Sequence, residues 1–196
     1  MLCINITNTG NIIFERNDIM ELCNSKTHKN LYTAFTGEVT AHAKYLLFEE
    51  KAKEEGYEQI AEIFKYSAEN ELEHAKLWFK ALGFLKQTED NLEDARSAEH
   101  FEASEMYLEF AQTAEEEGFI QIARLFRGVA KIEANHEKRF KKLLENVENN
   151  EVFKKDNKVT WECRECGHIH VGEEAPKMCP ICNSEQAFFQ IFAENY

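Results

Sequence analysis

Apolar residues recur every three or four positions from about residue 25 to residue 147, a spacing that predicts amphipathic α-helices. Ser25 or Thr27 is expected to cap the first helix, because a side-chain oxygen at that position accepts a hydrogen bond from a free backbone N–H. Gly56 ends this helix, and a second helix runs from there to near Gly83. The first part of the pattern therefore predicts a helical hairpin.

A second pair of helices repeats the first. Thr88 is expected to cap the third helix, Gly118 breaks it, and the fourth helix continues to about Val147. The sequence AKEEGYEQIAEIF at 52–64 matches AEEEGFIQIARLF at 114–126, at a constant offset of 62 residues. A duplicated helical hairpin packs naturally as a four-helix bundle.

The segments outside the helices have other patterns. Residues 1–24 form an N-terminal extension whose structure the pattern does not specify. The polar, aperiodic segment 148–158 predicts a linker, and residues 159–196 hold short β-like pieces around two pairs of cysteines. We therefore expect a mainly α chain, with a four-helix bundle over residues 25–147 followed by a small β-rich metal domain.

Charge restricts the possible partners. The chain has 36 acidic residues against 23 lysines and arginines, a formal net charge of −13 over 196 residues. Phosphate backbones and anionic lipids repel such a protein, so we expect neither nucleic acid nor membrane as a partner. No apolar run approaches the ~20 residues of a membrane span, and the N-terminus lacks the pattern of a signal peptide. These features predict a cytoplasmic protein.

Four of the six cysteines stand as two Cys-x-x-Cys pairs, Cys163 with Cys166 and Cys179 with Cys182. Each pair predicts a tight turn, or knuckle, whose backbone amides hydrogen-bond the thiolate sulfurs, and two knuckles complete a tetrahedral metal site. Zinc and iron both accept four thiolates, so the spacing leaves the metal open. Iron would make this a redox centre, whereas zinc would make it a structural one.

The helices carry a second set of candidate ligands. Glu71 and His74 form a Glu-x-x-His motif, and Glu133 and His136 repeat it at the offset of 62. Side chains at i and i+3 leave one face of a helix and can hold one metal ion. Two such helices facing two helices that bear glutamates are the arrangement of di-iron carboxylate bundles. The glutamates on the other two helices are Glu38, Glu99 and Glu102.

The repeat fails at one place. Offset 62 places Tyr45 on Tyr107, but it places Glu38 on His100 rather than on the neighbouring Glu99. Seven residues, about two turns, separate Glu38 from Tyr45, whereas eight separate Glu99 from Tyr107. We predict a π-bulge between Glu99 and Tyr107, because one additional residue would otherwise rotate Glu99 by ~100°. The alternative is a regular helix with His100 facing the metals.

With these residues identified, the chain resembles the rubrerythrin family over about residues 25–196. The likeness rests on motifs in a fixed order: NLYTAFTGE, NELEHA, AEHFEASEMY and IEANHEKRF, then Cys-x-x-Cys-Gly and Cys-Pro-x-Cys in a rubredoxin-like tail. The resemblance implies a ferritin-like bundle with two iron ions and one further iron on the four cysteines. The family ligands in the bundle map to Glu38, Glu71, His74, Glu99, Glu102, Glu133 and His136.

The resemblance also implies an activity. It is that of a non-haem peroxidase, which reduces hydrogen peroxide to water in defence against oxidative stress. Electrons would come from a redox protein or an NAD(P)H-dependent reductase and pass through the four-cysteine iron, in a homodimer or larger homo-oligomer. Tyr45 and Tyr107, one or two turns from the ligands, are expected to hydrogen-bond the carboxylates or to fill the core.

The sequence departs from the family at two places and leaves two alternatives to the peroxidase activity. Residues 1–24, with Cys3 and Cys23, extend beyond the usual start, and Asn183 follows Cys182 where rubredoxins carry glycine. A ferroxidase, which oxidises Fe²⁺ as its substrate, is the alternative enzyme. A zinc ribbon on the four cysteines would instead make the chain a binding module with no route for electrons.

Overall fold

The computed structural model describes residues 22–23 and 25–194, and the expectations for Cys3 and the rest of 1–21 lie outside them. The chain divides into two compact units between Lys86 and Gln87. The first unit contains helices α1 (Lys26–Glu54) and α2 (Glu58–Ala81). The second contains helices α3 (Thr88–Phe101), α4 (Tyr107–Glu116) and α5 (Ile120–Glu148), a π-helix (Glu102–Met106) and a small sheet.

The first unit is the predicted helical hairpin. Ser25 caps α1, because its Oγ accepts a hydrogen bond from the backbone N–H of His28 at 3.0 Å. The turn to α2 passes through Gly56, whose φ of +81° is favourable only without a Cβ. The two helices pack through small side chains, since the buried residues of α1 and α2 are all alanines: Ala52, Ala61, Ala68 and Ala75.

The second unit repeats this hairpin closely. In the first hairpin Tyr45 stacks on Phe64 with a ring-centroid distance of 6.2 Å, and in the second Tyr107 stacks on Phe126 at 6.0 Å. The third ring of each cluster also matches, because Phe48 to Phe64 is 5.5 Å and Phe110 to Phe126 is 5.6 Å. The sequence repeat is therefore a repeat of packing.

One boundary in the second unit differs from the prediction, and one predicted irregularity is present. Gln87, with extended φ and ψ of −69° and 159°, occupies the N-cap position of α3, and Thr88 is the first helical residue. The prediction of a π-bulge is confirmed, because residues Glu102–Met106 form a π-helix between α3 and α4. Together, α3, the π-helix and α4 make the third helical segment of the chain.

The C-terminal sheet has three antiparallel strands in the order β2-β1-β3. They are β1 (Lys154–Cys163), β2 (Ile169–Glu174) and β3 (Phe189–Ile191). The first strand begins inside the segment 148–158 that was expected to be a linker, so only residues 149–153 connect it to α5. The start of this strand was not predicted, because residues 154–158 are all polar and mostly exposed and so show no alternation of apolar and polar positions.

The core of the sheet surrounds two of the cysteines. Trp161, Cys163 and Cys179 are fully buried, and Phe189 packs beside them. The indole Nε1 of Trp161 donates a hydrogen bond to the Gly172 carbonyl at 3.0 Å, which satisfies its one polar group. The predicted fold class, four helical segments followed by a small β-rich domain, is confirmed.

No helix within the described residues combines the length and the apolar character that crossing a bilayer requires.

Candidate metal centres

The first hairpin brings together three of the predicted ligands. Glu38 extends from α1, and Glu71 and His74 extend from one face of α2. The His74 Nδ1 lies 2.9 Å from Glu71 Oε2 and 3.9 Å from Glu38 Oε1. The two glutamates are half-buried and the histidine is exposed. One oxygen or nitrogen of each side chain lies within 4.8 Å of the others, so the three can hold one metal ion.

The second hairpin repeats the group with Glu99, Glu133 and His136, all half-buried. The His136 Nδ1 lies 2.7 Å from Glu133 Oε2 and 3.5 Å from Glu99 Oε2. Burial raises the pKa of Glu99, and the neighbouring Glu133 carboxylate raises it further, against the opposing effect of His136. Two carboxyl groups this close are costly without a cation between them.

The distances within both groups fit a bound metal. For metal–ligand bonds of about 2.1 Å, neighbouring donors lie about 3.0 Å apart in octahedral and about 3.4 Å apart in tetrahedral geometry. The observed separations from the histidine Nδ1 span 2.7 to 3.9 Å. A mixed set of carboxylate and imidazole ligands suits iron, among other divalent metals.

Glu102 belongs to neither of these groups, and Tyr45 and Tyr107 lie about two turns along the helical segments from Glu38 and Glu99. Glu102 begins the π-helix. Burial raises the pKa of the Tyr107 hydroxyl, and the negative charges of Glu102, Glu133 and Glu99 raise it further. Tyr45 has the equivalent place in the first hairpin, where its ring packs against the aromatic cluster of α1 and α2.

Two other histidines have structural contacts. His100 is exposed and its Nδ1 lies 3.0 Å from Glu137 Oε1, so the alternative in which it faces the metals is wrong. His42, four residues after Glu38, is half-buried, and its Nδ1 donates a hydrogen bond to the Ala68 carbonyl of α2 at 2.8 Å. The contact joins the two helices across the alanine-lined interface, which helical spacing along a single stretch of sequence cannot reveal.

All four predicted cysteines converge at one place. The Cys163 and Cys182 sulfurs are 3.7 Å apart, and the Cys166 and Cys179 sulfurs are 3.6 Å apart. A tetrahedral metal with metal–sulfur bonds of about 2.3 Å has sulfur–sulfur edges of about 3.8 Å, so the cluster fits a single metal ion. Cys163 and Cys179 are buried, whereas Cys166 and Cys182 are exposed. One edge of the tetrahedron therefore faces solvent.

One residue beside the cysteines was missed in the sequence. The Ser184 Oγ lies 3.2 Å from the Cys182 sulfur. Hydrogen bonds from the side chain and then the backbone of Ser184 lower the pKa of Cys182 to about 6, because they stabilise the thiolate. The signal was weak, since a serine two residues after a cysteine is common in turns. Asn183 adopts a left-handed φ of +62°, which explains how it replaces the usual glycine.

The fold and these sites define a class: a non-haem iron protein with carboxylate–histidine ligands in its helices and a four-cysteine site in a small sheet. The family model described as rubrerythrin matches residues 29–101 and 90–165, and the model described as the rubrerythrin rubredoxin-like domain matches residues 161–190. The chain belongs to the rubrerythrin family. Its cofactors are accordingly two iron ions with carboxylate and histidine ligands and one iron on the four cysteines.

Similar proteins come from distant organisms. The chain is 44% identical to rubrerythrin of Porphyromonas gingivalis, over 88% of this chain and 92% of that protein. It is 42% identical to a putative rubrerythrin of Methanocaldococcus jannaschii, over 87% of this chain and 95% of that protein. It is 40% identical to rubrerythrin of Nitratidesulfovibrio vulgaris, over 88% of this chain and 97% of that protein. The likeness covers both the helical part and the cysteine domain.

Proposed function

We propose that this protein is a non-haem di-iron peroxidase, which reduces hydrogen peroxide to water with electrons supplied through the four-cysteine iron. The observation that carries the proposal is the presence, in one chain, of two matched Glu–Glu–His groups and one group of four cysteines. Reduction of peroxide takes two electrons, which a pair of iron ions can supply together. A separate one-electron centre can then restore the pair. Neither site alone would suit this reaction.

The proposed ligands of the iron pair supply both hard and softer donors. Carboxylates favour ferric iron, whereas imidazole suits ferrous iron, so a mixed set serves an ion that changes its oxidation state. When bound, the iron pair supplies the two electrons that break the O–O bond. We assign seven residues to this set: Glu38, Glu71, His74, Glu99, Glu102, Glu133 and His136.

Protein groups must handle the protons of the reaction, because each peroxide takes up two protons and two electrons to give two water molecules. Tyr107 is suited to this task, since a phenol is protonated at neutral pH and the pKa of this one is raised further by burial and by the neighbouring carboxylates. Its phenol can therefore donate a hydrogen bond to an oxygen near Glu99, Glu102 and Glu133. We propose the same role for Tyr45 in the first hairpin.

Electrons are proposed to enter at the exposed edge of the four-cysteine site. Cys166 and Cys182 are exposed there, and the side chains of Ile181 and Met178 are 68% and 59% exposed. Apolar side chains beside an exposed redox ligand suit brief docking of a small redox protein or of an NAD(P)H-dependent reductase. We propose such a protein as the donor, and the cytoplasm as the compartment.

The path from this site to the iron pair allows two arrangements: the chain folds back over its own helices, or it lies against those of a neighbour, which the family resemblance favours. His136 lies twelve residues before the end of α5, and at 1.5 Å per residue this is ~18 Å along the helix axis. Five residues, 149–153, then lead to the strand that carries Cys163. We propose that an iron held by the four cysteines of one subunit would supply electrons to the carboxylate–histidine site of its neighbour.

Metal analysis and two kinetic assays test the proposal. The iron-loaded protein should be red from iron–thiolate charge transfer, and it should consume peroxide continuously while a reductase oxidises NAD(P)H. Stoichiometric oxidation of added Fe²⁺ without continuous peroxide turnover would instead assign the protein as a ferroxidase. A colourless protein that binds only zinc on its four cysteines would reject the electron route.

A further inference from the structure

The two cysteine knuckles have the same backbone geometry. In the first, the Gly167 N–H donates to the Cys163 carbonyl at 2.8 Å, and the Cys163 N–H donates to the His168 carbonyl at 2.9 Å. Gly167 has a left-handed φ of +75°. His168 is therefore the residue that closes this knuckle, two positions after its second cysteine, Cys166.

The second knuckle repeats each of these bonds. The Asn183 N–H donates to the Cys179 carbonyl at 3.0 Å, and the Cys179 N–H donates to the Ser184 carbonyl at 2.8 Å. Asn183 takes the left-handed position with φ of +62°. Ser184 closes this knuckle two positions after Cys182, so it is the counterpart of His168 in the first knuckle.

The two closing residues differ in what their side chains do. The Ser184 Oγ lies 3.2 Å from the Cys182 sulfur, within hydrogen-bond range of a sulfur acceptor. Among the hydrogen bonds of the described residues, the His168 side chain makes no equivalent bond to a cysteine sulfur. A metal-bound thiolate carries no proton, so the serine hydroxyl must be the donor. The site thus has one sulfur with an additional donor on its exposed edge.

We propose that the Ser184 hydroxyl donates a hydrogen bond to the iron-bound sulfur of Cys182 and thereby raises the reduction potential of the four-cysteine iron. The Fe(III) site with four thiolates carries one negative charge and the Fe(II) site carries two. A donor aimed at a sulfur stabilises the more negative, ferrous state more strongly. Ser184 is therefore a positioning residue, which acts on the iron through its ligand.

The consequence concerns the direction of electron flow. A higher potential makes the four-cysteine iron a better acceptor from an external donor and a weaker donor to the iron pair. The inference rests on the cysteine-bound iron and on local geometry, and it holds whether or not the helical part reduces peroxide. Its measurement is accordingly independent of any peroxide assay.

The test compares reduction potentials in full-length, iron-loaded protein, followed by the loss of the red charge-transfer absorbance during a redox titration. Ser184→Ala removes the hydroxyl, and we expect the ratio of ferrous to ferric iron at a fixed potential to fall about ten-fold, which is ~59 mV for a one-electron couple. The matched control is His168→Ala at the equivalent position of the other knuckle, which should change this ratio less than about two-fold. Ser184→Thr, which keeps a hydroxyl, should stay close to the unsubstituted protein.

A change of less than about two-fold in Ser184→Ala, or an equal fall in His168→Ala, would overturn the proposal. Vibrational spectra provide a second measurement. The iron–sulfur stretching modes should shift in deuterated water, because exchangeable protons lie against the sulfurs: those of the backbone N–H groups in both knuckles and, at Cys182, that of the Ser184 hydroxyl. The shift should be smaller in Ser184→Ala than in the unsubstituted protein and in His168→Ala. Equal shifts in the three proteins would also reject the hydrogen bond.

Discussion

Glu99 Oε2 lies 3.5 Å from His136 Nδ1, and Glu38 Oε1 lies 3.9 Å from His74 Nδ1. The two contacts correspond, although 61 residues separate the two glutamates and 62 separate the two histidines. The π-helix Glu102–Met106 accommodates the additional residue. Its wider turn keeps the side chains before it and after it on the same face of the helical segment. The one-residue insertion beside the proposed ligands therefore leaves the distance from glutamate to histidine similar in the two hairpins.

Deleting Ser104 from the π-helix should be tolerated. The exposed serine lies within the additional turn, so its removal leaves seven residues between Glu99 and Tyr107, the spacing found in the first hairpin. We expect a regular α-helix, iron still bound to Glu99, Glu133 and His136, and a melting temperature within a few degrees of the unaltered protein. Thermal unfolding and iron analysis of the purified protein measure both.

Deleting Gln112 is the matched control. It is also exposed, but it lies in the regular helix α4 between the buried Ala111 and Ala114. Its loss should rotate Ala114 by ~100° away from the helix interface and lower the melting temperature by about ten degrees or more, which corresponds to a loss of about 3 kcal/mol or more. Equal destabilisation by the two deletions would contradict the assignment of Ser104 to an inserted turn.

The π-bulge and the four-cysteine site could be predicted because each follows from the number of residues between recognisable positions in the sequence. A repeat offset reveals an inserted residue, and two Cys-x-x-Cys pairs at fixed spacing fix four ligands. The cap of α3 was misplaced by one residue, because Gln87 and Thr88 can each begin a helix and only the backbone angles of Gln87 decide.

Contacts between elements were harder to predict. The bond from His42 to the Ala68 carbonyl depends on how two helices pack, and the bond from Ser184 to Cys182 depends on the left-handed turn at Asn183. Neither has a periodic signal in the sequence. The roles of the seven carboxylate and histidine ligands stay predictions, which the following experiments address.

Glu99→Gln should stabilise the iron-free protein at neutral pH while it impairs iron binding. The pKa of Glu99 is raised in the folded state by burial and by Glu133, so folding favours its protonated form. The contribution of Glu99 to the stability of the apo-protein is therefore fully present below the unfolded pKa, near 4.5, and is lost as pH rises through the folded pKa. Melting curves from about pH 4 to 8 should show Glu99→Gln gaining a few degrees over the unsubstituted protein as pH rises.

Glu115→Gln is the control, and we expect it to change the stability at neutral pH in the opposite direction. A hydrogen bond from Arg127 lowers the pKa of Glu115, so its carboxylate contributes stability above the unfolded pKa and loses it as pH falls through the folded pKa. This exposed glutamate lies far in sequence from the ligands, and its replacement should leave iron binding unchanged while slightly lowering the melting temperature at neutral pH. A Glu99→Gln protein that melts like Glu115→Gln at neutral pH would rule out the charge repulsion between Glu99 and Glu133.

Cys182→Ser should separate the two iron centres. Losing one of four thiolates disables the redox iron, while the carboxylate–histidine groups remain intact. We expect reductant-coupled peroxide turnover to fall to the background rate. Chemically reduced protein should still consume one molecule of peroxide for each reduced iron pair. Rapid-mixing measurements of both quantities check this expectation, with Cys163→Ser as a second, buried variant. Turnover at the unsubstituted rate would refute the relay.

Mixed subunits test whether electrons pass between chains. A Cys163→Ser subunit lacks a working four-cysteine iron, and a Glu133→Ala subunit lacks a ligand of the iron pair, so each homodimer should be inactive. In a heterodimer, the intact cysteine site of the second subunit faces the intact iron pair of the first if transfer crosses the interface. Activity should then recover to about half that of the unsubstituted dimer, because one of two pairings works. Doubly tagged heterodimers that stay inactive would assign the route to a single chain.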